Sequence, residues 1–415
     1  MRSDLDRSPT ELDGAALTVD GVVAARTVAP STAQEVAAVL ADAAASDHVV
    51  VPVGSGTALA LGNPPERMDL ALATRNLGGV IDYEPMDLVL SVGAGARLGD
   101  VQAVLAEHGQ TLPIDPPGHD EATIGGLIAT ALAGPRRLGS GTLRDLLIGI
   151  AVAHPSGTVT KAGGMVVKNV TGFDLPRLYH GSLGTLGVVV SANFKVLPLP
   201  RAEASVVAAA VALDDALATA DRVLASRLQP IALEVALRDG AWSVALRVAG
   251  REAAVGAAAE AIAALGDATT LDGSESAAWW AAYVADQSLD VAADEVLIRC
   301  AVRPRLVPEL LRAAVALGEH GGVEIGAAFA SVGLGSVVAR CRLSGESASP
   351  RGLAAVRDRL LAVADHAVIL AAPPAWKRGV DVWGPPPDTL DVMRALKGQF
   401  DPGRVLNRGR FVGYI

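Results

Sequence analysis

Cysteine is almost missing from this 415-residue chain: only Cys300 and Cys341 occur, each inside an apolar run. Two such residues supply neither a disulfide framework nor the set of thiolates an iron–sulfur cluster needs, so any such cluster has to sit on another chain. Aromatic side chains are scarce, at 3% of residues, which leaves alanine and branched aliphatic side chains to pack the core. Basic residues are outnumbered, 35 Lys+Arg against 45 Asp+Glu, for a net charge of −10. Without a basic block there is no positive surface for a phosphate backbone, and no nucleic-acid partner is expected. No uninterrupted apolar run reaches the ~18 residues of a membrane span; the nearest, around residues 204–220, carries Asp214 and Asp215. The segment Met1–Thr10 lacks the basic-then-apolar layout of a secretory leader. A soluble, cytoplasmic protein is expected, with membrane contact only through partners.

What is present is apolar content, 51% of residues, in a chain too long for one ordinary core, so two domains are expected. Pro30-Ser31-Thr32-Ala33-Gln34 reads as a helix start with Ser31 as N-cap and Gln34 completing a capping box. Val36, Val39, Leu40 and Ala43 then keep one apolar stripe. His48–Val53 follows as a buried strand that breaks into Gly54-Ser55-Gly56-Thr57. A second strand, Leu88–Val92, leads through Gly93-Ala94-Gly95 into a helix from Leu98 to His108, closed by Gly109. The prolines of Leu112–Gly118 forbid helix and central strand, which leaves an extended loop. Thr123-Ile124-Gly125-Gly126 opens a short helix, Leu146–Ala153 and Thr158–Ala162 form a hairpin, and Gly181–Gly187 leads into the strand Val188–Val196.

Glycine-rich turns after strands bind phosphate because glycine accepts positive φ, lets successive N–H groups point into one concavity and leaves room for a ligand. Three such places occur, at Gly54–Thr57, Thr123–Gly126 and Gly181–Gly187. The run Gly93–Gly99 imitates a dinucleotide fingerprint, but its third glycine falls one position late and Pro113 would interrupt the next strand. These glycines are read as packing a turn.

In order and spacing, VVPVGSGTALALG, DLVLSVGAGARLGDVQAVLAEHG, PPGHDEATIGGLIATALAGPRRLGSGTLRDLLIG and KNVTGFDLPRLYHGSLGTLGVVVSANFKVLP resemble the vanillyl-alcohol-oxidase (PCMH-type) FAD-binding family. KNVTGFDL combined with the ending LKGQFDPGRVLNRGR is most similar to the FAD-binding subunits of bacterial glycolate oxidases. The resemblance implies an α+β fold: a two-subdomain PCMH-type FAD-binding domain over 26–200, a ferredoxin-like α+β cap over 203–372, and a segment 373–415 returning to the FAD domain. It implies that Gly54, Ser55, Gly56, Thr57 and Ala58 cradle the FAD pyrophosphate. Pro116, Ala122, Thr123, Ile124, Gly125 and Gly126 would line the flavin and its ribityl chain, Val188 would meet the adenine, and Asn407 would approach the isoalloxazine. Lys168 either offsets phosphate or reduced-flavin charge or is a solvated loop lysine.

Two departures matter. Thr57-Ala58 stands where covalently flavinylated members carry histidine, so non-covalent FAD is expected. The stretch Ser331–Val338 stands where related 2-hydroxyacid dehydrogenases have a segment like HVGDGNLH, so no metal ligands and no catalytic base are assigned; His119 and His180 are near the flavin loops but are not singled out as bases. The implied role is a subunit of a glycolate oxidase (glycolate dehydrogenase) complex, working with a homologous FAD subunit and an iron–sulfur subunit, at the inner face of the membrane through those partners. A stand-alone FAD oxidoreductase of a small 2-hydroxy acid or alcohol, and a structural subunit that has lost its flavin, are the alternatives.

Overall fold

In the computed structural model, residues 10–11, 17–118, 120–165, 173–263 and 268–415 are described; Lys168, most of KNVTGFDL, and His119 lie outside them. The first unit is a parallel sheet of β1 (Arg26–Ala29), β2 (Val50–Val53) and β3 (Leu70–Ala73), with β3 in the middle and Thr10–Glu11 antiparallel on β1. Helix α1 (Ala33–Ala45) links β1 to β2 and buries Val36, Ala37, Val39, Leu40 and Ala43. Its cap falls one residue later than the sequence suggests: the Glu35 amide donates to Thr32 Oγ1 at 3.1 Å, and the Ser31 amide donates to the Glu35 carboxylate at 2.7 Å. Thr32 and Glu35 stand at the same spacing as Ser31 and Gln34, but Glu35 accepts the amide one residue before the cap, and a carboxylate is the stronger acceptor near a helix N-terminus.

The second unit is antiparallel, with strands β4 (Val80–Glu84), β5 (Val89–Gly93), β6 (Leu147–Ala153), β7 (Val159–Gly163) and β8 (Val188–Lys195) in the order β7-β6-β8-β5-β4. Helices α2 (Leu98–Ala106) and α3 (Ile124–Thr130) cover it. An all-antiparallel ladder excludes the dinucleotide fold that Gly93–Gly99 imitates. Those glycines serve close packing instead: a Cβ on Gly93 would stand 1.9 Å from Leu77 O, and one on Gly95 2.0 Å from Thr74 O.

Residues 202–371 build one eight-stranded antiparallel sheet. Its first half runs β9 (Ala202–Ala210), α4 (Leu213–Ala225), β10 (Ala232–Arg238), β11 (Ala241–Gly250), α5 (Glu252–Ala263), β12 (Ala268–Asp272). After α6 (Gly273–Ala285), the second half repeats the pattern with β13 (Glu295–Ala301), α7 (Val307–Ala316), β14 (Val323–Ser331), β15 (Ser336–Leu343), α8 (Pro350–Leu361) and β16 (His366–Ala371). The strand order β12-β9-β11-β10-β14-β15-β13-β16 is thus two ferredoxin-like βαββαβ halves joined through β10 and β14, where the sequence suggested one. Helices α4, α5, α7 and α8 pack on one face, over a core that includes Cys300 and Cys341. Burial pushes both free thiols up to about 12, which makes them packing residues without nucleophilic character. On the other face Ala232, Ala236, Phe329 and Leu370 meet Leu61, Leu132 and Leu183, the seam between the sheet and the first two units.

The C-terminal segment returns to β2. Leu406 pairs with Val50 in parallel, the Asn407 amide donating to Val50 O at 2.9 Å. Helix α9 (Leu390–Phe400) aims it: Lys397 Nζ bonds Asp401 at 2.6 Å, Thr185 O at 2.9 Å and Leu406 O at 2.9 Å, while Asp401 accepts the Val405 and Leu406 amides. The motif FDPGRVLN therefore folds around a buried ion pair whose remaining bonds are all satisfied.

Candidate functional site: a glycine-walled cleft

A cleft opens where β2, α3, the Gly181–Gly187 loop and the returning tail converge. Its wall includes Gly54, Ser55, Gly56, Thr57, Ala58, Ala122, Thr123, Gly126 and Asn407, and also Leu59, Pro117, Thr130, Leu183, Gly184 and Arg410. Gly54 must be glycine because a Cβ there would lie 2.1 Å from Thr123 Oγ1, the hydroxyl that caps α3 by accepting the Gly126 amide at 3.3 Å. Gly56 takes φ +93, which side chains disfavour. No acceptor among the described residues takes the amides of Ser55, Gly56, Thr57 and Ala58. Four successive unpaired donors on a cleft wall form a concavity suited to an anion.

The opposite wall is held by bonds from the Leu183 amide to Ala129 O (2.7 Å) and the Gly181 amide to Ile128 O (2.8 Å). Asn407, at φ +48, donates through Nδ2 to Leu183 O at 2.5 Å, and its Oδ1 is buried with no partner among the described residues. An orphaned acceptor in a cleft wall calls for a donor from outside the chain, since leaving it unmet costs about 1–3 kcal/mol.

Four residues named from the sequence stand off the wall. The Ile124 and Gly125 amides donate to Ala96 O and Ala94 O, which seats α3 on the turn after β5; Ile124 is fully buried. Pro116 is buried while its neighbour Pro117 is on the wall, and Val188 starts β8 inside the core under α1. His180 closes the helical turn Leu175–Tyr179, and burial lowers its pKa.

Two titratable carboxyls that the sequence did not single out lie at the seam. Glu234, on β10 and 2% exposed, accepts from Tyr283 Oη at 2.8 Å and Ser331 Oγ at 2.8 Å. The stretch without ligating side chains, Ser331–Val338, thus supplies a hydroxyl to a carboxyl on the paired strand. Asp115 accepts the Arg136 amide on both oxygens, at 3.0 and 3.2 Å. Burial pushes both up to about 7. Among the described residues, no group of three or more His, Cys, Asp or Glu side chains could hold a metal ion.

The Glu234 shift fixes a sign. With the folded value near 7 and the ordinary value 4.5, the native state binds the proton more tightly. Its contribution to stability is complete below about pH 4.5 and is lost as pH rises through about 7. Glu234→Gln should therefore flatten the decline of Tm between pH 5 and 8, gaining at most about 3 kcal/mol over wild type at pH 8. Parallel Tm–pH curves for the two proteins would contradict this.

The FAD binding domain family matches residues 24–163. The chain is 42% identical over 153 residues to glycolate oxidase subunit GlcE of Escherichia coli, covering 37% of this chain and 43% of that protein. It is 32% identical over 207 residues to glycolate oxidase subunit GlcD of Bacillus subtilis, covering 50% and 44%. The chain thus spans less than half the length of these relatives in the matched region. Solved alkyldihydroxyacetonephosphate synthase shares the fold, with a TM-score of 0.67 at 16% identity over 93% of this chain and 76% of that one. Residues 24–163 thus match the FAD binding domain family, and FAD is the cofactor that this match and the similar FAD-dependent relatives support.

Proposed function

We propose that the chain is the FAD-binding subunit of a glycolate oxidase complex, which oxidises glycolate to glyoxylate together with a homologous FAD subunit and an iron–sulfur subunit. The observation that carries this reading is the 42% identity over 153 residues to a glycolate oxidase subunit. Bound FAD would supply the two-electron acceptor. The chain's own contribution would be to bind and orient it: the Ser55–Ala58 amides would hold the pyrophosphate, Thr123 and Gly126 the flavin side, and Asn407 Oδ1 would accept a hydrogen bond from the cofactor. Among the described residues the cleft wall carries no carboxylate or imidazole to take up a substrate proton, and the cysteines cannot carry a cluster, so both tasks fall to partner chains. Among the described residues no helix is long and apolar enough to cross a membrane; the proposed place is the cytoplasm, at the inner face of the membrane through those partners. Affinity purification of the tagged chain from its native cell should recover a second flavoprotein and an iron–sulfur protein. Recovery of the chain alone, with full activity, would contradict the reading.

The seam carboxyls favour one second reading, a stand-alone oxidoreductase of a small 2-hydroxy acid in which Glu234 or Asp115 takes the hydroxyl proton.

FAD is bound without a covalent link in either case, because Thr57 and Ala58 offer no nucleophilic nitrogen to the ring. After denaturation and filtration, all yellow colour should pass the membrane; colour retained with the polypeptide would refute this.

A further inference from the structure

Among the described residues, Arg410 is the one charged side chain on the cleft wall. It is 3% exposed, and its bonds go to carbonyls only: Nη2 to Leu59 O and Leu61 O, each at 2.7 Å, and Nε to Asn63 O at 3.4 Å. No carboxylate contacts it among the described residues. The carboxylate that acts on it through space is Asp20, whose oxygen is bound to a second buried cation, Lys377 Nζ, at 2.5 Å. Lys377 also donates to Ala60 O at 2.8 Å. Two buried positive charges therefore share one negative charge beside the cleft. Burial accordingly lowers Arg410 to about 10 and Lys377 to about 8. Guanidinium does not escape by losing its proton near neutral pH, so an unmatched buried arginine stays costly unless an anion arrives from outside.

Resting on the reading of the cleft as the FAD site, we propose that Arg410 is the electrostatic counterpart of the cofactor's negative charge, besides bracing the turn from Leu59 to Asn63 through its three carbonyl bonds. Two parts of FAD present that chemistry, the pyrophosphate and the pyrimidine edge of the ring, which gains negative charge on reduction. Arg410 is a positioning and binding residue in this account.

The test compares wild type with Arg410→Gln and Arg410→Lys in FAD affinity, riboflavin affinity, flavin midpoint potential and the rise in Tm that FAD produces in the apoprotein. Loss of a charge-assisted contact should weaken FAD binding about 10- to 100-fold in Arg410→Gln, while Arg410→Lys stays within about threefold of wild type because the charge remains. If the pyrophosphate is the partner, riboflavin binding is unchanged in Arg410→Gln. If the ring is the partner, riboflavin binding weakens too and the potential becomes more negative. Lost bracing lowers the Tm of apoprotein and holoprotein together, whereas lost charge matching removes the FAD-induced rise. Unchanged FAD affinity and potential in Arg410→Gln would overturn the proposal. So would a folded Arg410→Lys that loses FAD tenfold or more, which decides the matter if Arg410→Gln does not fold. Failure of the wild-type apoprotein to bind FAD would overturn the reading of the site instead.

Discussion

Gly56→Val should yield a folded, colourless protein. Gly56 sits at φ +93, a conformation that costs a non-glycine residue roughly 1–3 kcal/mol and a β-branched one the most. The branched side chain would also stand on the cleft wall between the free amides of Ser55 and Thr57. The ligand then loses both space and donors, and FAD affinity should fall by at least about a hundredfold, since two or more charge-assisted bonds at 1.5–3 kcal/mol each are at stake. Gly125→Val should reach the same end by another route. Its Cβ would lie 3.0 Å from Ala94 Cβ and 3.1 Å from Ala94 O, so the second methyl groups push α3 off its seat and carry Thr123 and Gly126 away from the cleft. Far-ultraviolet circular dichroism should be unchanged in Gly56→Val, because the strained loop follows β2 and takes part in no ladder. Flavin content at wild-type occupancy in both variants, measured as the ratio of visible to ultraviolet absorbance, would contradict this account of the wall.

Much of that wall is legible in the sequence, and the reason is local. Gly54–Thr57 directly follows a short apolar strand, and a glycine-rich break after a buried strand has few uses besides a tight turn or an anion site. Asn407 lies in a motif whose Lys397–Asp401 pair closes within one helical turn, so its placement is encoded within about ten residues. Ile124, Gly125 and Val188, which the resemblance places near the cofactor, stand off the cleft wall. Their positions are set by partners far along the chain, Ala94 and Ala96 for the first two and the core under α1 for the third. The register of the α1 cap was missed because Ser31 and Thr32 both suit an N-cap and Gln34 and Glu35 both suit its partner; burial of Val36 and Leu40 selects between them.

The repeated βαββαβ halves left no sequence trace, since alanine-rich strands and helices satisfy the same packing with many sequences. Glu234 and Arg410 were invisible for a related reason. Glu234 meets Tyr283 and Ser331 only when β10, β14 and α6 come together. Arg410 is tied to carbonyl groups, which carry no side-chain signature.

The second large effect concerns chemistry. The isolated chain, loaded with FAD, should not oxidise glycolate or D-lactate at a useful rate. A hydroxy acid gives up a hydride only as its hydroxyl proton finds an acceptor, and losing general-base assistance alone costs about 10²- to 10⁴-fold. Among the described residues the cleft wall has no such acceptor. Both oxygens of Glu234 are already engaged, Oε1 by Ser331 and Oε2 by Tyr283, and Asp115 is held on both oxygens by the Arg136 amide. A group filled by fixed donors is poorly placed to take a proton from a substrate. Anaerobic mixing of the purified, FAD-loaded chain with glycolate, followed at the flavin absorbance maximum, puts the account to its most direct test. No bleaching is expected over minutes with the chain alone, and bleaching is expected once the homologous FAD subunit and the iron–sulfur subunit are added. Bleaching within seconds by the chain alone would show a complete active site and contradict it.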